Sequence, residues 1–340
     1  MKICRVSENV YGETLQQTHS TFVKFPQRNS FIDERLRKHV EQLTNITIDS
    51  NCLLSIRSMG DPYKYPFPFK ADCYLTDNPY IALLLHLRGS PFVFDFIDTY
   101  SLMVSREFPN DEEKYYFTRY CEIIASKHCK GLIVQSGDLE KQFAHLKVPI
   151  KVIPNGVDLR RFTYEPLGET DNFRLVYVGK MTEWYASLRN ICKAVEGLEG
   201  IKFIVVGDGP LRNDIESCSP KNVSFLGAVP YNDVPKWMNT ADVCMFCVDD
   251  GSPVVIGEYC ACGKPIITLK GKLEWLLKNG ENGLMVYDTP EEFRQAILTM
   301  KEDKSLREKC SKNNLELAKR LDWDVLVKQY ADFIKLCSSL

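Results

Sequence analysis

Short apolar runs alternate along this chain with longer stretches whose apolar positions recur at helical spacing. In the first half the runs are Ile3 to Val6, Cys52 to Ile56, Cys73 to Leu75, Phe92 to Ile97, Leu132 to Val134 and Val152 to Ile153. The second half repeats the scheme with Leu175 to Val178, Phe203 to Val206, Val223 to Leu226, Val243 to Phe246, Ile266 to Leu269 and Leu284 to Val286. Strands that alternate with helices predict parallel sheets covered on both faces, and two such series predict two doubly wound α/β domains. Turn residues replace the apolar period between Pro154 and Asp171, so the hinge is placed there, with domains at 1–160 and 161–322. From about Lys304 the pattern is helical only (Leu315, Leu317, Leu321, Val325, Leu326, Tyr330, Phe333), and residues 323–340 are expected to form a helix that returns to the first domain. In sheets of this kind a ligand sits at the carboxyl ends of the strands, and two domains facing across a cleft can enclose it.

One polar position breaks the pattern. Glu258 interrupts the apolar stretch from Pro253 to Cys262, and Asp250 stands eight positions before it. A buried carboxylate costs several kcal/mol unless something pairs with it, so a purpose is expected. Ser252 reads as an N-cap, Pro253 as the first helical residue and Gly263-Lys264-Pro265 as a stop, giving a helix of about ten residues covered on every face. Its N-terminus after Gly251 offers backbone N–H groups and a positive dipole end to a phosphate. Glu258 then lies about 7–8 Å along the axis, the reach from a nucleotide diphosphate to its ribose.

Composition narrows the setting. The 340 residues are 44% hydrophobic and 26% charged, with net charge −2, mean hydropathy −0.22 and a pI near 6.3. Nothing there attracts nucleic acid. Thirteen scattered cysteines, an odd number, indicate a reduced, cytoplasmic setting, and the Cys260/Cys262 pair has no second pair to complete a zinc site. The start, MKICRVS, reads as a short strand, without a signal-peptide core, and no apolar run approaches the ~18 residues of a membrane span. Arg35–His39 and the aromatic stretch Tyr63–Lys70 fit either a rim that touches the cytoplasmic membrane face or a solvated helix and proline-rich loop. The first 165 residues carry 21 Lys+Arg against 20 Asp+Glu, so no net charge favours the first. Oligomeric state has no sequence signal.

Three strands end in glycine turns: Arg174–Gly179 before Lys180, Phe203–Pro210 with Gly209, and Val223–Pro230 with Val229. Glycine lets backbone approach a ligand, Lys180 supplies charge for phosphate, and main-chain groups at Val229 can read a base edge. Taken singly, each fits a tight turn and a solvated lysine equally well.

The ordered series VIPNGVDLRRF, RLVYVGKMTEW, FIVVGDGPL, VSFLGAVPYNDV, ADVCMF, DGSPVVIGEYCACGKPII and ENGLMVY resembles the C-terminal domain of glycosyltransferase family 4, retaining enzymes of the GT-B fold, from about Gly131 to Trp323. The first half matches more loosely, through MKICRVS, a YGE turn, DCYLTDNPYIALLLHLRGSPFVFDFID and GLIVQSGDLEKQF. The resemblance implies a donor domain at 161–322 and an acceptor domain at 1–160. It places the family's acid pair on Asp250, which faces the transferred sugar, and Glu258, which holds the donor ribose. It assigns the diphosphate to the backbone of Gly251, Ser252, Pro253, Val254 and Val255, and the basic position to Lys180. Gly179, Gly209 and Val229 fall at donor-side turns, Gly12 matches one of a usual glycine pair, and Asp98 remains of a usual His-Asp.

Two positions depart from the family. Tyr185 and Ala186 stand where a Lys-Gly pair is usual, and Ile97 replaces the histidine; Asp98 also fits a helix N-cap. The implied reaction moves a hexose-type sugar from a UDP- or GDP-sugar to a hydroxyl of a carbohydrate or lipid-linked acceptor. It needs no metal, because helix and turn amides with Lys180 can stabilise the leaving diphosphate; the Asp249-Asp250 pair is then no manganese site. The altered positions also fit a weakened, partner-dependent subunit, and the ribose-binding acid alone fits a nucleotide-sugar epimerase.

Overall fold

The computed structural model describes residues 3–5, 48–49, 71–166, 168 and 170–339. They form two parallel α/β units. The first holds β1 (Ile3–Arg5), β2 (Ile48–Asp49), β3 (Cys73–Thr76), β4 (Phe92–Phe96), β5 (Gly131–Val134) and β6 (Ile150–Val152), in the order β2-β1-β3-β4-β5-β6. Every neighbouring pair is parallel. Helices α1 (Pro79–Leu87), α2 (Tyr100–Glu107), α3 (Glu112–His128) and α4 (Gly137–Phe143) connect the later strands.

The second unit holds β7 (Phe173–Val178), β8 (Ile201–Val206), β9 (Val223–Gly227), β10 (Val243–Met245), β11 (Ile266–Leu269) and β12 (Gly283–Val286), in the order β12-β11-β10-β7-β8-β9 and again all parallel. Its helices are α5 (Leu188–Ala194), α6 (Arg212–Ser217), α7 (Val234–Asn239), α8 (Val254–Ala261), α9 (Pro290–Glu302) and α10 (Lys304–Arg320). The last helix, α11 (Trp323–Ser338), belongs to the first unit.

Every predicted run from Cys73 onward is a strand, with ends displaced by one or two residues at most. The run at Cys52 to Ile56 lies outside the described residues, and β2 is too short for an apolar run to announce it. Strands β3, β4 and β5 are buried along their whole length, which explains why they read as continuous apolar runs and not as alternation.

The helical spacing at the end of the chain resolves into two helices with different homes. On α11, Trp323, Leu326, Val327, Tyr330, Phe333, Ile334 and Cys337 cover Cys73, Leu75, Val93 and Ile133 of the first sheet. The Tyr330 hydroxyl donates to Asp95 Oδ2 at 3.0 Å, giving a buried strand carboxylate a partner. α10 instead packs on α8, with Leu317, Ala318 and Leu321 in the core of the second unit. The second unit runs Asn155–Asp322. The change of unit after Pro154 precedes most of the turn-rich segment because Val157 and Phe162 are already buried in the second core. There the Val157 N–H donates to the Leu321 carbonyl at 2.9 Å, so entry and exit of the unit are bonded side by side.

Candidate functional site

The strand order locates a site before any side chain is considered. The chain lays β8 and β9 on one side of β7 and then crosses to place β10 on the other side. At this switch the connections leave in opposite directions, which opens a crevice at the carboxyl ends of β7 and β10. The backbone there is closed from below by Tyr259 on α8. Its hydroxyl accepts from the Val178 N–H at 2.9 Å and donates to the Met245 carbonyl at 3.2 Å. One phenol thus satisfies a buried group of each strand and fixes α8 against the sheet.

Residues 179–181 after β7 interlock with 207–209 after β8. The Gly179 N–H donates to the Val206 carbonyl at 3.0 Å, and Met181 N–H to the Asp208 carbonyl at 3.0 Å. Gly207 and Gly209 have φ of +140° and +157°, and a Cβ on them would stand 1.8 Å from the Gly179 oxygen and 2.4 Å from the Met181 oxygen. Glycine is therefore required at 207 and 209 by the backbone alone. Lys180 extends to solvent from this turn, while its carbonyl accepts from the Tyr177 hydroxyl at 2.7 Å.

Helix α8 forms against its local propensity. Val254, Val255 and Ile256 are β-branched and Gly257 is flexible, all poor helix formers, so burial must hold the helix together. Gly257 permits close approach: a Cβ there would lie 3.3 Å from the Val157 side chain. The helix stops in a Schellman motif, with Gly263 at φ +63°, its N–H on the Cys260 carbonyl at 2.9 Å and the Lys264 N–H on the Tyr259 carbonyl at 3.0 Å.

The start differs from the sequence reading. The helix is eight residues long, Pro253 is the N-cap in an extended conformation, and Val254 is 41% exposed. Ser252 does not cap because its side chain is engaged elsewhere: Oγ accepts the Asn155 N–H at 2.9 Å and its carbonyl accepts Asn155 Nδ2 at 2.5 Å. The Ser252 N–H donates to Asp250 Oδ1 at 3.0 Å, and Pro253 has no N–H. Ile256 N–H bonds the Pro253 carbonyl at 3.2 Å, so Val254 and Val255 are the residues whose amides face out of the helix start. Asp249 is committed separately: its Oδ1 accepts the Lys272 N–H at 2.7 Å, while Trp275 Nε1 donates to the Gly251 carbonyl at 2.7 Å.

Glu258 is buried, 3% exposed, on this helix. Tyr231 Oη, on the turn after β9, donates to its Oε1 at 2.6 Å. Burial pushes the Glu258 carboxyl up from an ordinary value near 4.5 to about 7, against the opposing pull of the Tyr231 hydrogen bond and the Arg161 charge. Arg161 lies 4.7 Å from the Tyr231 ring centroid, and Phe162 meets the same ring edge-on at 5.7 Å. Tyr185, in the place of the usual lysine, is held neutral: burial first, then the Asp250 charge, then Cys247, push its phenol to about 12.

The second unit thus brings Gly179, Lys180, Gly209, Asp250, Gly251, Ser252, Pro253, Val254, Val255 and Glu258 to the loops and helix start at the carboxyl ends of its strands. Val229 is half-buried against the same core. Asp98 belongs to the first unit, exposed after β4, and the N-cap of α2 is Thr99. Gly12, Arg35–His39 and Tyr63–Lys70 lie outside the described residues. Sequence reading missed Asn155, Arg161 and Tyr231. All three stand in its quoted segments VIPNGVDLRRF and VSFLGAVPYNDV, but only the fold puts them beside α8. It also missed Glu122, another buried acid, which accepts from the Ser101 N–H at 3.0 Å and hydroxyl at 2.6 Å and so anchors the start of α2. Among the described residues no helix is long and apolar enough to cross a membrane.

Residues 172–303 match the family model Glycosyl transferases group 1. An uncharacterized glycosyltransferase of Methanocaldococcus jannaschii is 30% identical over 260 residues, which take in 72% of this chain and 68% of that protein. An Escherichia coli UDP-Gal:alpha-D-GlcNAc-diphosphoundecaprenol alpha-1,3-galactosyltransferase is 27% identical over 239 residues, 60% of this chain and 61% of that one. Among solved structures, Anabaena HepE in complex with UDP and glucose superposes with a TM-score of 0.70 at 18% identity, covering 98% of this chain and 99% of that one. Sucrose-phosphate synthase from Thermosynechococcus elongatus gives 0.71 at 16%, covering 99% and 98%. With two parallel α/β units and these relatives, the chain belongs to the glycosyl transferases group 1 and is a glycosyltransferase of GT-B fold.

Proposed function

We propose that this enzyme is a retaining glycosyltransferase of family 4 that moves a hexose-type sugar from UDP to a hydroxyl of a lipid-linked glycan. The observation that carries the reading is Glu258: a buried carboxylate, hydrogen-bonded by a tyrosine, on a helix whose first amides lie beside the switch point of the sheet. The Glu258 carboxylate accepts the ribose hydroxyls. The Val254 and Val255 amides and the Lys180 ammonium meet the diphosphate, and Asp250 approaches the sugar. As the glycosyl–phosphate bond lengthens, positive charge grows on the sugar and negative charge on the diphosphate; fixed amide dipoles and Lys180 stabilise the second. Uridine is preferred over guanosine because the E. coli relative acts with UDP-Gal and HepE was solved with UDP. The same relative's diphosphoundecaprenol acceptor is the reason for a lipid-linked acceptor, recognised by the first unit with Asp98 on its sugar side.

The test is calorimetric titration of UDP- and GDP-sugars, followed by NMR of the product. Binding of UDP-sugars that Glu258→Ala abolishes, with the anomeric configuration kept in the product, is the expected result. Absence of binding to either nucleotide, or unchanged binding by the Ala variant, refutes the reading. Tyr185, which brings no positive charge where a lysine is usual, favours one second reading: a weakened subunit that binds donor but needs a partner for transfer. Transfer that appears only on adding cell extract would select it.

A further inference from the structure

We propose that Tyr231 is a positioning residue for the nucleotide: its hydroxyl holds Glu258 by Oε1 and leaves Oε2 to accept the ribose hydroxyls. This rests on the reading that Glu258 is the ribose acceptor and adds what keeps it one. A ribose diol brings two O–H donors, so the carboxyl serves it best when ionised, with all its lone pairs available. Burial acts in the opposite direction and favours the protonated acid.

The local construction counters that tendency. Tyr231 begins the short turn Tyr231–Asp233 that follows Pro230, and its ring is held on two sides, by Phe162 at 5.7 Å and 65° and by the Arg161 guanidinium at 4.7 Å. Phe162 is itself 1% exposed, so the clamp is part of the core. A phenol fixed in this way presents its O–H to Oε1 at 2.6 Å and stabilises the carboxylate, and Arg161 adds positive charge behind it. Arg161 and Phe162 come from the segment after Val157, Tyr231 from the turn after β9, and Glu258 from α8. Three elements therefore meet at the Tyr231–Glu258 pair. The titratable groups that face Glu258 are Tyr231 and Arg161 from those elements and Tyr259 and Cys262 from its own helix region. Tyr231 and Tyr259 are raised far above neutrality and the Cys262 thiol is pushed to about 12, so Glu258 alone changes charge near pH 7.

A different role would make Tyr231 a lid that occupies the place of the ribose. The two roles give opposite results on removal of the hydroxyl. Tyr231→Phe, Arg161→Gln, Glu258→Gln and the wild type are titrated with UDP-glucose and GDP-mannose between pH 6 and 8.5, and whichever binds the wild type is carried through the series. The expected result is a wild-type affinity that rises with pH through about 7, as the carboxyl whose midpoint is about 7 ionises. Tyr231→Phe should bind about 10-fold more weakly at pH 7, the scale of one charge-assisted hydrogen bond, with its midpoint moved to higher pH so that the deficit narrows by pH 8.5. Arg161→Gln should shift the midpoint in the same direction by less, and it serves as the second variant where Tyr231→Phe unfolds. Tighter binding by Tyr231→Phe, unchanged binding, or a deficit equal at every pH would overturn the proposal. Glu258→Gln separates the two readings: if it binds like the wild type, or if neither nucleotide binds the wild type, the donor-site reading itself falls. If Glu258→Gln is weak and flat with pH while Tyr231→Phe matches the wild type, only the role of Tyr231 falls.

Discussion

Replacing Glu258 by Gln is expected to make the protein more stable and a poorer binder of nucleotide. The carboxyl is displaced upward from 4.5 to about 7 by burial. At 1.36 kcal/mol for each tenfold change in proton affinity this amounts to about 3 kcal/mol against the folded state once both folded and unfolded forms are ionised. The sign follows from linkage. Because the folded acid holds its proton to higher pH than the unfolded one, its contribution is fully present below about 4.5 and is lost as the pH rises to about 7. Glutamine keeps the shape and can still accept the Tyr231 hydroxyl, but it has no charge to desolvate. The variant should therefore gain roughly 3 kcal/mol at pH 8 and about 1 kcal/mol at pH 5. For a domain of the second unit's length that is a rise of about 6–12 °C in Tm at pH 8. Urea unfolding followed by tryptophan fluorescence reads the right unit, since three of the four tryptophans, Trp184, Trp237 and Trp275, lie within Asn155–Asp322. A Gln variant no more stable than wild type at pH 8, or equally advantaged at both pH values, would refute the argument that burial of this charge costs stability.

Other perturbations reach the supports of the site. Tyr259→Phe strands the Val178 N–H and the Met245 carbonyl and should lower stability by roughly 1–3 kcal/mol for each, read by thermal unfolding. Gly209→Ala drives a Cβ to 2.4 Å from the Met181 oxygen at φ +157° and should cost more than about 1 kcal/mol while weakening nucleotide binding, because the turn carrying Lys180 must shift. Asn155→Ala removes the Nδ2 bond to the Ser252 carbonyl, while the backbone N–H keeps its bond to Oγ, and should lower nucleotide affinity roughly 5-fold in calorimetry, by loosening the segment between Asp250 and Val254.

The strand-helix alternation was legible because central parallel strands are buried on both faces and so appear as unbroken apolar runs. Glu258 was legible for the complementary reason: a charge in such a run stands out. The helix start was misread at Ser252, since a serine before a proline looks like a cap from sequence alone, and only the fold brings Asn155, 97 positions away, to claim its hydroxyl. Tyr231 and Arg161 were hidden for the same reason. A tyrosine after a glycine turn and the second of two consecutive arginines have no local signature, and their meaning arises from convergence on α8. Gly207 and Gly209 were legible as turn glycines, but the interlocked backbones of two successive loops, which make glycine obligatory, are a tertiary fact.

The central claim is that Glu258 of the second unit holds the donor's ribose. Its most direct test compares the affinities of UDP and its 2′,3′-dideoxy analogue for the wild type and for Glu258→Gln by calorimetry. The account predicts that loss of the diol weakens wild-type binding about 10- to 100-fold, the worth of charge-assisted hydrogen bonds, and changes the Gln variant's binding little. Equal wild-type affinity for the two nucleotides, or an undiminished penalty for the analogue in the variant, would contradict it.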